Sequence, residues 1–234
     1  DKSEYEKQGI LFAGLWVYSG GQGPNYKKLR EVDSLPLPRT KKEKQSALGL
    51  VSYLRDHIPL LAHFTHCLYP GGSELPEGEY KREWAKLKQH IKRAVTQLHA
   101  FSQHEDADLY VDASNKGASA VLIQHGRIVA LATRQLNPTE QRYSATDREH
   151  LAILLASEKF RIYLHRPEGE TRVHTDHMSL LNRKTTDITP RQARWQWLIG
   201  YWITNVRHVK GVNNPADFFS RWHIGETLGG VKTT

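Results

Sequence analysis

Ala107-Asp-Leu-Tyr-Val-Asp112-Ala-Ser114, Ser119-Ala-Val-Leu-Ile-Gln-His125 and Arg127-Ile-Val-Ala-Leu-Ala-Thr-Arg134 are the stretches on which the fold turns. In the first, apolar residues alternate with polar ones, the two-residue period of a strand with one buried face. The second and third are short apolar runs joined through His125-Gly126, a dipeptide suited to a hairpin turn. Together they predict antiparallel strands over 107–113, 119–125 and 127–134. After an Asn137-Pro138 break, apolar positions recur at helical spacing over 144–164. A strand pattern at 172–175, a helix at 191–199, a strand at 204–208 and a helix from Pro215 to Trp222 complete the series. Three strands in succession, then helices alternating with two more strands, predict a mixed five-stranded sheet with flanking helices, of α/β (α+β mixed) class.

Upstream, residues 10–26 read as a strand, a Gly-rich turn and the approach to a short helix. Thr40-Lys-Lys-Glu43 is a capping box opening a helix with Ala47, Leu48, Val51, Leu54 and Ile58 at helical spacing, and Pro59 ends it. A second helix is expected from about Lys81 to Phe101, with Trp84, Leu87, Ile91, Val95 and Leu98 as its apolar stripe. That stripe reads as core, and Arg82, Lys86, Lys88, Lys92 and Arg93 read as a solvated face. Gly225 to Thr234 has no periodicity and reads as a loose tail. The expected organisation is therefore a strand region over 1–30, a helical and connecting region over 31–106, a sheet domain over 107–222 and a tail over 223–234.

At 234 residues the chain has mass for one large or two modest cores. No apolar run reaches the roughly 20 residues of a membrane helix. A single cysteine, Cys67, excludes an internal disulfide and fits a reducing, intracellular compartment. The chain opens on Asp1-Lys-Ser-Glu without an initiating Met or a secretion signal, as a piece of a longer protein does. Its net charge is +8, with 16 basic against 13 acidic residues up to position 106 and 17 against 12 after it. The excess is shared by both halves and suits a polyanionic partner as well as it suits a merely basic surface.

Four acids stand in settings that would bring them together. Asp112 lies at the end of the first strand pattern, Glu149 early in the long helix, Asp176 after the second short strand, and Asp217 at the start of the last helix. Acids that end strands and begin helices gather at one rim of a sheet, where oxygen ligands hold hard divalent cations. Taken singly, each has an ordinary reading as a strand-end cap, a helix-surface acid, a turn former or a first-turn residue favoured by the helix dipole. Gathered at one rim, they would suit metal-assisted phosphodiester hydrolysis. His63-Phe-Thr-His66-Cys67 holds metal-capable atoms without a second ligand pair and is not read as a zinc site.

With those residues in place, the stretch 107–222 resembles the ribonuclease H domain of reverse transcriptases, in particular those of gypsy-type long-terminal-repeat retroelements. The likeness rests on Tyr110-Val-Asp112-Ala-Ser114, Gly117-Ala-Ser-Ala-Val-Leu122, Leu136-Asn-Pro-Thr-Glu-Gln-Arg-Tyr143, Glu149-His-Leu-Ala-Ile153, Phe160-Arg-Ile-Tyr-Leu164, Thr175-Asp-His177, Ala193-Arg-Trp195 and Asn214-Pro-Ala-Asp217-Phe-Phe-Ser-Arg221. Upstream, Leu11-Phe-Ala-Gly-Leu-Trp-Val17 resembles the strand after the polymerase palm, and Asp33 to Pro59 resembles the thumb helix. The likeness spans about residues 10 to 222. The polymerase pair Tyr-X-Asp-Asp occurs nowhere in the chain.

The resemblance implies a ribonuclease H-like fold preceded by a small thumb-like helical region. It implies an endoribonuclease that cuts the RNA strand of RNA/DNA hybrids, with Asp112, Glu149, Asp176 and Asp217 as catalytic and metal-binding acids. Two Mg²⁺ ions are the implied cofactor, with Mn²⁺ able to substitute. Ser114, Asn115, Lys116, Thr146, Arg191 and Arg194 are its implied substrate contacts in the nuclease part, and Lys41, Lys42, Lys44 and Gln45 those of the thumb. Implied partners are the hybrid, the palm and fingers of a reverse transcriptase, and a second copy of the chain, with no membrane. The implied location is cytoplasmic or nuclear, virus-like particles included. Two other readings stay open: a non-catalytic hybrid-binding scaffold subunit, and another nuclease of the same superfamily.

Overall fold

A two-residue turn at Ala13-Gly14, both with positive φ (47° and 82°), folds strand β1 (Gly9–Phe12) back onto β2 (Leu15–Tyr18), and β3 (Gly21–Pro24) continues the meander. This computed structural model describes residues 7–59, 61–69, 75–165, 168–177, 189–200 and 205–221. They fall into two compact units divided between Ala100 and Phe101.

In the first unit, helix α1 (Tyr26–Ser34) follows the meander and is capped by Asn25, whose side chain accepts from Lys27 N. Helix α2 (Lys41–Ser52) opens with the expected capping box, Thr40 and Glu43 each bonding the other's backbone. It ends six residues before Ile58, and a 3₁₀ turn over Arg55–His57 follows. There the chain binds the backbone at Thr96, whose N–H donates to His57 O at 2.7 Å while the His57 ring meets Thr96 O at 3.1 Å. Short α3 (Leu61–Phe64) leads to α4 (Glu77–Ala94).

Helix α4 stops well before Phe101. Val95 turns extended (φ −59°, ψ 120°), and Leu98 lies instead in β4 (Leu98–His99), which pairs with β3. The β-branched pair Val95-Thr96 favours that extended path over another helical turn. Leu98 is buried as expected, but in a strand of the sheet β1-β2-β3-β4 rather than on the helix.

The second unit follows the sequence closely. Strands β5 (Ala107–Ala113), β6 (Gly117–Gln124) and β7 (Arg127–Gln135) form an antiparallel meander. His125 and Gly126 at φ 52° and 70° make the tight turn between the last two, a conformation glycine adopts without strain. After α5 (Pro138–Gln141) comes α6 (Ala145–Lys159), capped by Ser144. The expected long helix is interrupted at Phe160 (φ −102°, ψ 15°), whose ring is buried in the core, and α7 (Arg161–Leu164) is a separate turn. Then come β8 (Thr171–Thr175), α8 (Pro190–Gly200), β9 (Asn205–His208) and α9 (Pro215–Arg221).

The sheet order is β7-β6-β5-β8-β9, with β8 parallel to both β5 and β9, the mixed five-stranded sheet the sequence predicts. Leu109, Val111, Leu122 and Val173 on the sheet pack with Leu151, Leu155 and Phe160 and with Trp195 of α8 in one core. Each fully buried leucine there contributes about 2 kcal/mol over exposure. Thr204, Trp222 and the tail from Gly225 lie outside the described residues. Among the described residues, no helix is long and apolar enough to cross a membrane.

Candidate metal centre

Parallel pairing of β5 with β8 frames the site. Their last paired rung is Tyr110 opposite His174, and Asp112 and Asp176 each lie two residues beyond it. Acids at the carboxyl ends of adjacent parallel strands, here Asp112 in the penultimate position of β5 and Asp176 just after β8, stand at a crevice where ligands bind in α/β sheets. The third acid comes from α9, whose start is tied to the sheet by two hydrogen bonds and braced by a third within its own first residues. Asn214 Nδ2 donates to Val111 O at 2.9 Å, Asn214 Oδ1 accepts from Ala216 N at 3.0 Å, and Ser119 Oγ donates to Ala216 O at 2.7 Å. These hold Asp217, in the first turn of α9, against the sheet.

Asp112, Asp176 and Asp217 each offer a carboxylate oxygen, and these atoms lie within 4.8 Å of one another. Asp112 is buried, and the other two are partly open. Glu149 of α6 stands beside this set. Its Oε1 accepts from Ala113 N at 3.2 Å and its Oε2 from Thr175 Oγ1 at 3.4 Å. Burial first, then the charges of Asp112 and Asp176, push its carboxyl up to about 8. The structure thus gathers three of the four expected acids into one ligand set and seats the fourth alongside, electrostatically coupled to two of them.

The donor set tests well against a hard divalent cation: it is all oxygen, from separate carboxylates within ligand reach, two of them partly exposed. A cation there would counter both the burial and the neighbouring negative charges that together hold a proton on Glu149.

Supporting residues that sequence reasoning missed surround the acids. Ser220 Oγ makes a short hydrogen bond to Asp112 Oδ2, and Ser220 O accepts from Ser114 Oγ at 2.8 Å. Ser220 lies one helical turn after Asp217, the only local sign of its role. Gly211 backs Asp176: a Cβ there would sit 3.1 Å from Asp176 Oδ2.

The remaining expected contacts are distributed as follows. Ser114 Oγ is engaged within its own loop, accepting from Lys116 N and Gly117 N at 3.1 and 3.0 Å, while Asn115 and Lys116 are exposed at the loop tip. Thr146 Oγ1 lies 2.9 Å from His177 Nε2. The Arg191 guanidinium lies 4.2 Å above the Tyr143 ring, with Asp147 4.0 Å away, and Arg194 is exposed on α8. In the first unit, Lys41, Lys42 and Gln45 are exposed on α2, and Lys44 Nζ lies 4.6 Å over the Tyr80 ring.

Residues 102–201 match the family described as the RNase H-like domain found in reverse transcriptase. That span takes in Asp112, Glu149 and Asp176 and ends before Asp217. The chain is 33% identical over 234 residues to the retrovirus-related Pol polyprotein from transposon 297 of Drosophila melanogaster, covering 97% of this chain and 22% of that protein. It is 27% identical over 236 residues to the transposon Tf2-3 polyprotein of Schizosaccharomyces pombe, covering 94% and 17%. The chain therefore spans about a fifth of the length of these curated relatives. Its fold is similar to the foamy viral protease-reverse transcriptase solved in complex with RNA/DNA hybrid (TM-score 0.72, 18% identity, 97% of this chain and 32% of that one). It is similar as well to the same protein in complex with double-stranded DNA (TM-score 0.70, 19% identity, 87% and 45%).

Proposed function

Residues 102–201 being an RNase H-like domain of the reverse-transcriptase kind, we propose that this chain is the endoribonuclease part of a gypsy-type retroelement reverse transcriptase and hydrolyses the RNA strand of RNA/DNA hybrids. In this reading 107–222 is the nuclease domain, 31–106 a thumb-like and connecting region, 1–30 the end of a palm-like strand region and 223–234 a tail. One observation carries the proposal: carboxylate oxygens of Asp112, Asp176 and Asp217 within 4.8 Å of one another, beside a Glu149 whose proton is held up to about 8.

The four acids would hold two Mg²⁺ ions, Mn²⁺ substituting. When bound, such a pair makes an attacking water more acidic and stabilises the negative charge that develops on the scissile phosphate and leaving oxygen. The chain's own residues supply the rest. Ser220 orients Asp112 by its hydrogen bond, and Asn214 and Ser119 fix the helix that presents Asp217. Glu149, whose Oε2 accepts from Thr175 Oγ1 and whose proton is held up to about 8, would add a fourth carboxylate to the set once deprotonated. Asn115 and Lys116 at the loop tip, Thr146 on α6, Arg191 and Arg194 on α8, and Lys41, Lys42, Lys44 and Gln45 on α2 would contact the hybrid's sugars and phosphates, which makes recognition blind to base sequence.

Incubating hybrid labelled on the RNA strand with the chain and Mg²⁺ tests this directly. Wild type should release short RNA products, Asp176→Asn should not, and duplex DNA should stay intact. No cleavage by wild type points to a hybrid-binding scaffold instead, and equal cutting of duplex DNA to another nuclease of the superfamily.

A further inference from the structure

On the face of the sheet that carries the acids, one rung below them, lies a polar cluster that the proposed chemistry does not use. Asp108 Oδ1 accepts from Arg172 Nε at 2.9 Å and from His174 Nε2 at 2.7 Å, and its Oδ2 accepts from Arg172 Nη2 at 3.1 Å. The His174 ring stacks on Tyr110 with centroids 4.5 Å apart and planes inclined by 15°. Asp108 and Tyr110 belong to β5, Arg172 and His174 to β8. Asp108 stands opposite Arg172 and Tyr110 opposite His174, the second and fourth of the four rungs of the parallel ladder.

Beyond Tyr110 and His174 no further direct β5–β8 pair forms; Asp112 is still in β5, paired with Ser119 of β6, and Asp176 lies one residue past β8, whose Thr175 pairs with His208 of β9. No direct β5–β8 backbone pair spans the two acids, so side-chain ties across the adjacent rungs bear on how far apart they stand. The cluster supplies such ties. Its side chains are only 15–30% exposed, so its charged hydrogen bonds are better shielded than those of a surface pair. The contacts to Arg172 and His174 hold Asp108 ionised as an acceptor, which requires the proton of His174 to be on Nε2. One carboxylate thus clasps two side chains of β8 on successive outward positions, which forbids β8 from slipping or rotating against β5.

We propose that Asp108, clasping Arg172 and His174 with His174 stacked on Tyr110, is a positioning residue that fixes Asp176 against Asp112 for cation binding. The proposal rests on the reading of Asp112 and Asp176 as metal ligands. Arg172 is shared with Asp106, 3.6 Å away, whose other oxygen accepts from Glu170 N, so Asp108 rather than Asp106 is the group directed at β8's acid-bearing face.

Binding of Mn²⁺ alone to the full chain, followed by the loss of the free-ion resonance or by calorimetry, separates the possibilities. Asp108→Ala should weaken Mn²⁺ binding about tenfold, the effect typical of removing a group that orients a ligand. Asp108→Asn keeps the Oδ1 shared by Arg172 and His174 but sets its NH2 against Arg172 Nη2, and should recover part of the affinity. Val129→Ala, a cavity on β7 two strands from β5, supplies a control of comparable Tm loss and should leave the Kd within about twofold of wild type. An Asp108→Ala Kd equal to wild type, or no weaker than that of Val129→Ala, overturns the proposal. Should Asp108→Ala not fold, an Asp108→Asn protein as weak as one lacking Asp176 also overturns it, since the shared acceptor would then count for nothing. Wild type that binds no Mn²⁺ removes the metal reading itself and this inference with it.

Discussion

Replacing Glu149 by Gln removes one titration while nearly preserving shape, and its effect can be worked from the structure. In the unfolded chain this carboxyl sheds its proton near the ordinary 4.5; in the folded, cation-free site, burial and the neighbouring Asp112 and Asp176 hold the proton up to about 8. Protonated Glu149 costs the fold nothing extra, so its contribution is fully favourable below about 4.5. Between about 4.5 and about 8 the unfolded state binds fewer protons than the folded one, and stability falls as pH rises. A shift of this size sets a ceiling of about 5 kcal/mol, of which about 3 kcal/mol falls between about pH 5 and pH 7.5. Urea unfolding in EDTA at several pH values measures it. Wild type should lose stability across that window relative to Glu149→Gln, and the difference curve should level off above about pH 8. His57, held below its usual value by burial, tilts the absolute curve the opposite way but cancels in the difference. Saturating Mg²⁺ should flatten the wild-type trend and, near pH 7, displace about one proton, seen as an enthalpy that depends on the buffer. Parallel curves for wild type and Glu149→Gln from pH 5 to pH 8 would refute the coupled acid cluster.

Removing Lys41 and Lys42 together should weaken hybrid binding and flatten its salt dependence by about one unit of log–log slope per lysine; an unchanged slope would exclude α2 as a phosphate contact. Thr40→Ala breaks the capping box of α2 and should lower stability by about 1 kcal/mol, read from the urea midpoint at constant m. Gly211→Ala places a methyl 3.1 Å from Asp176 Oδ2, so Mn²⁺ affinity should fall several-fold; unchanged affinity would mean that the loop or the carboxylate gives way without consequence.

Period and turn chemistry made the second unit legible. Alternation over Ala107 to Ala113 and the His125-Gly126 turn act within a few residues, and sequence displays them directly, whereas Asn137-Pro138, read as a break, proves to cap the short helix α5. The first unit was less legible for a physical reason. Its β1–β2 turn puts Ala13 at φ 47°, where alanine gives no turn signal, and four-residue strands are too short to show alternation. Leu98 kept the helical phase of Leu87 and Ile91 by coincidence, while its pairing with Gln22, far away in sequence, decided its state. Local propensity lost to tertiary pairing there, as it did at Phe160, where burial of the ring in the core interrupts a helix that spacing alone would continue.

In the site, the ligand atoms were readable and their supports were not, and the difference follows from how each acts. An acid at a strand end or helix start announces itself by residue type in a local pattern. Ser220 bonding Asp112, Asn214 bonding Val111 and Asp108 bonding Arg172 join residues 108, 103 and 64 positions apart, and a serine, an asparagine or a strand aspartate carries no mark of such a bond. Yet clustered carboxylates repel one another, and such ties help to keep Asp112, Asp176 and Asp217 within ligand distance before a cation arrives. The acids therefore specify which chemistry is open to the chain, whereas cation affinity is set by these long-range ties. It follows that changes at Ser220, Asn214 or Asp108 should alter how tightly the site binds Mn²⁺ far more than they alter which ions it accepts, and a variant at any of the three that switched the preference from Mg²⁺ and Mn²⁺ to a softer ion would contradict this division of labour.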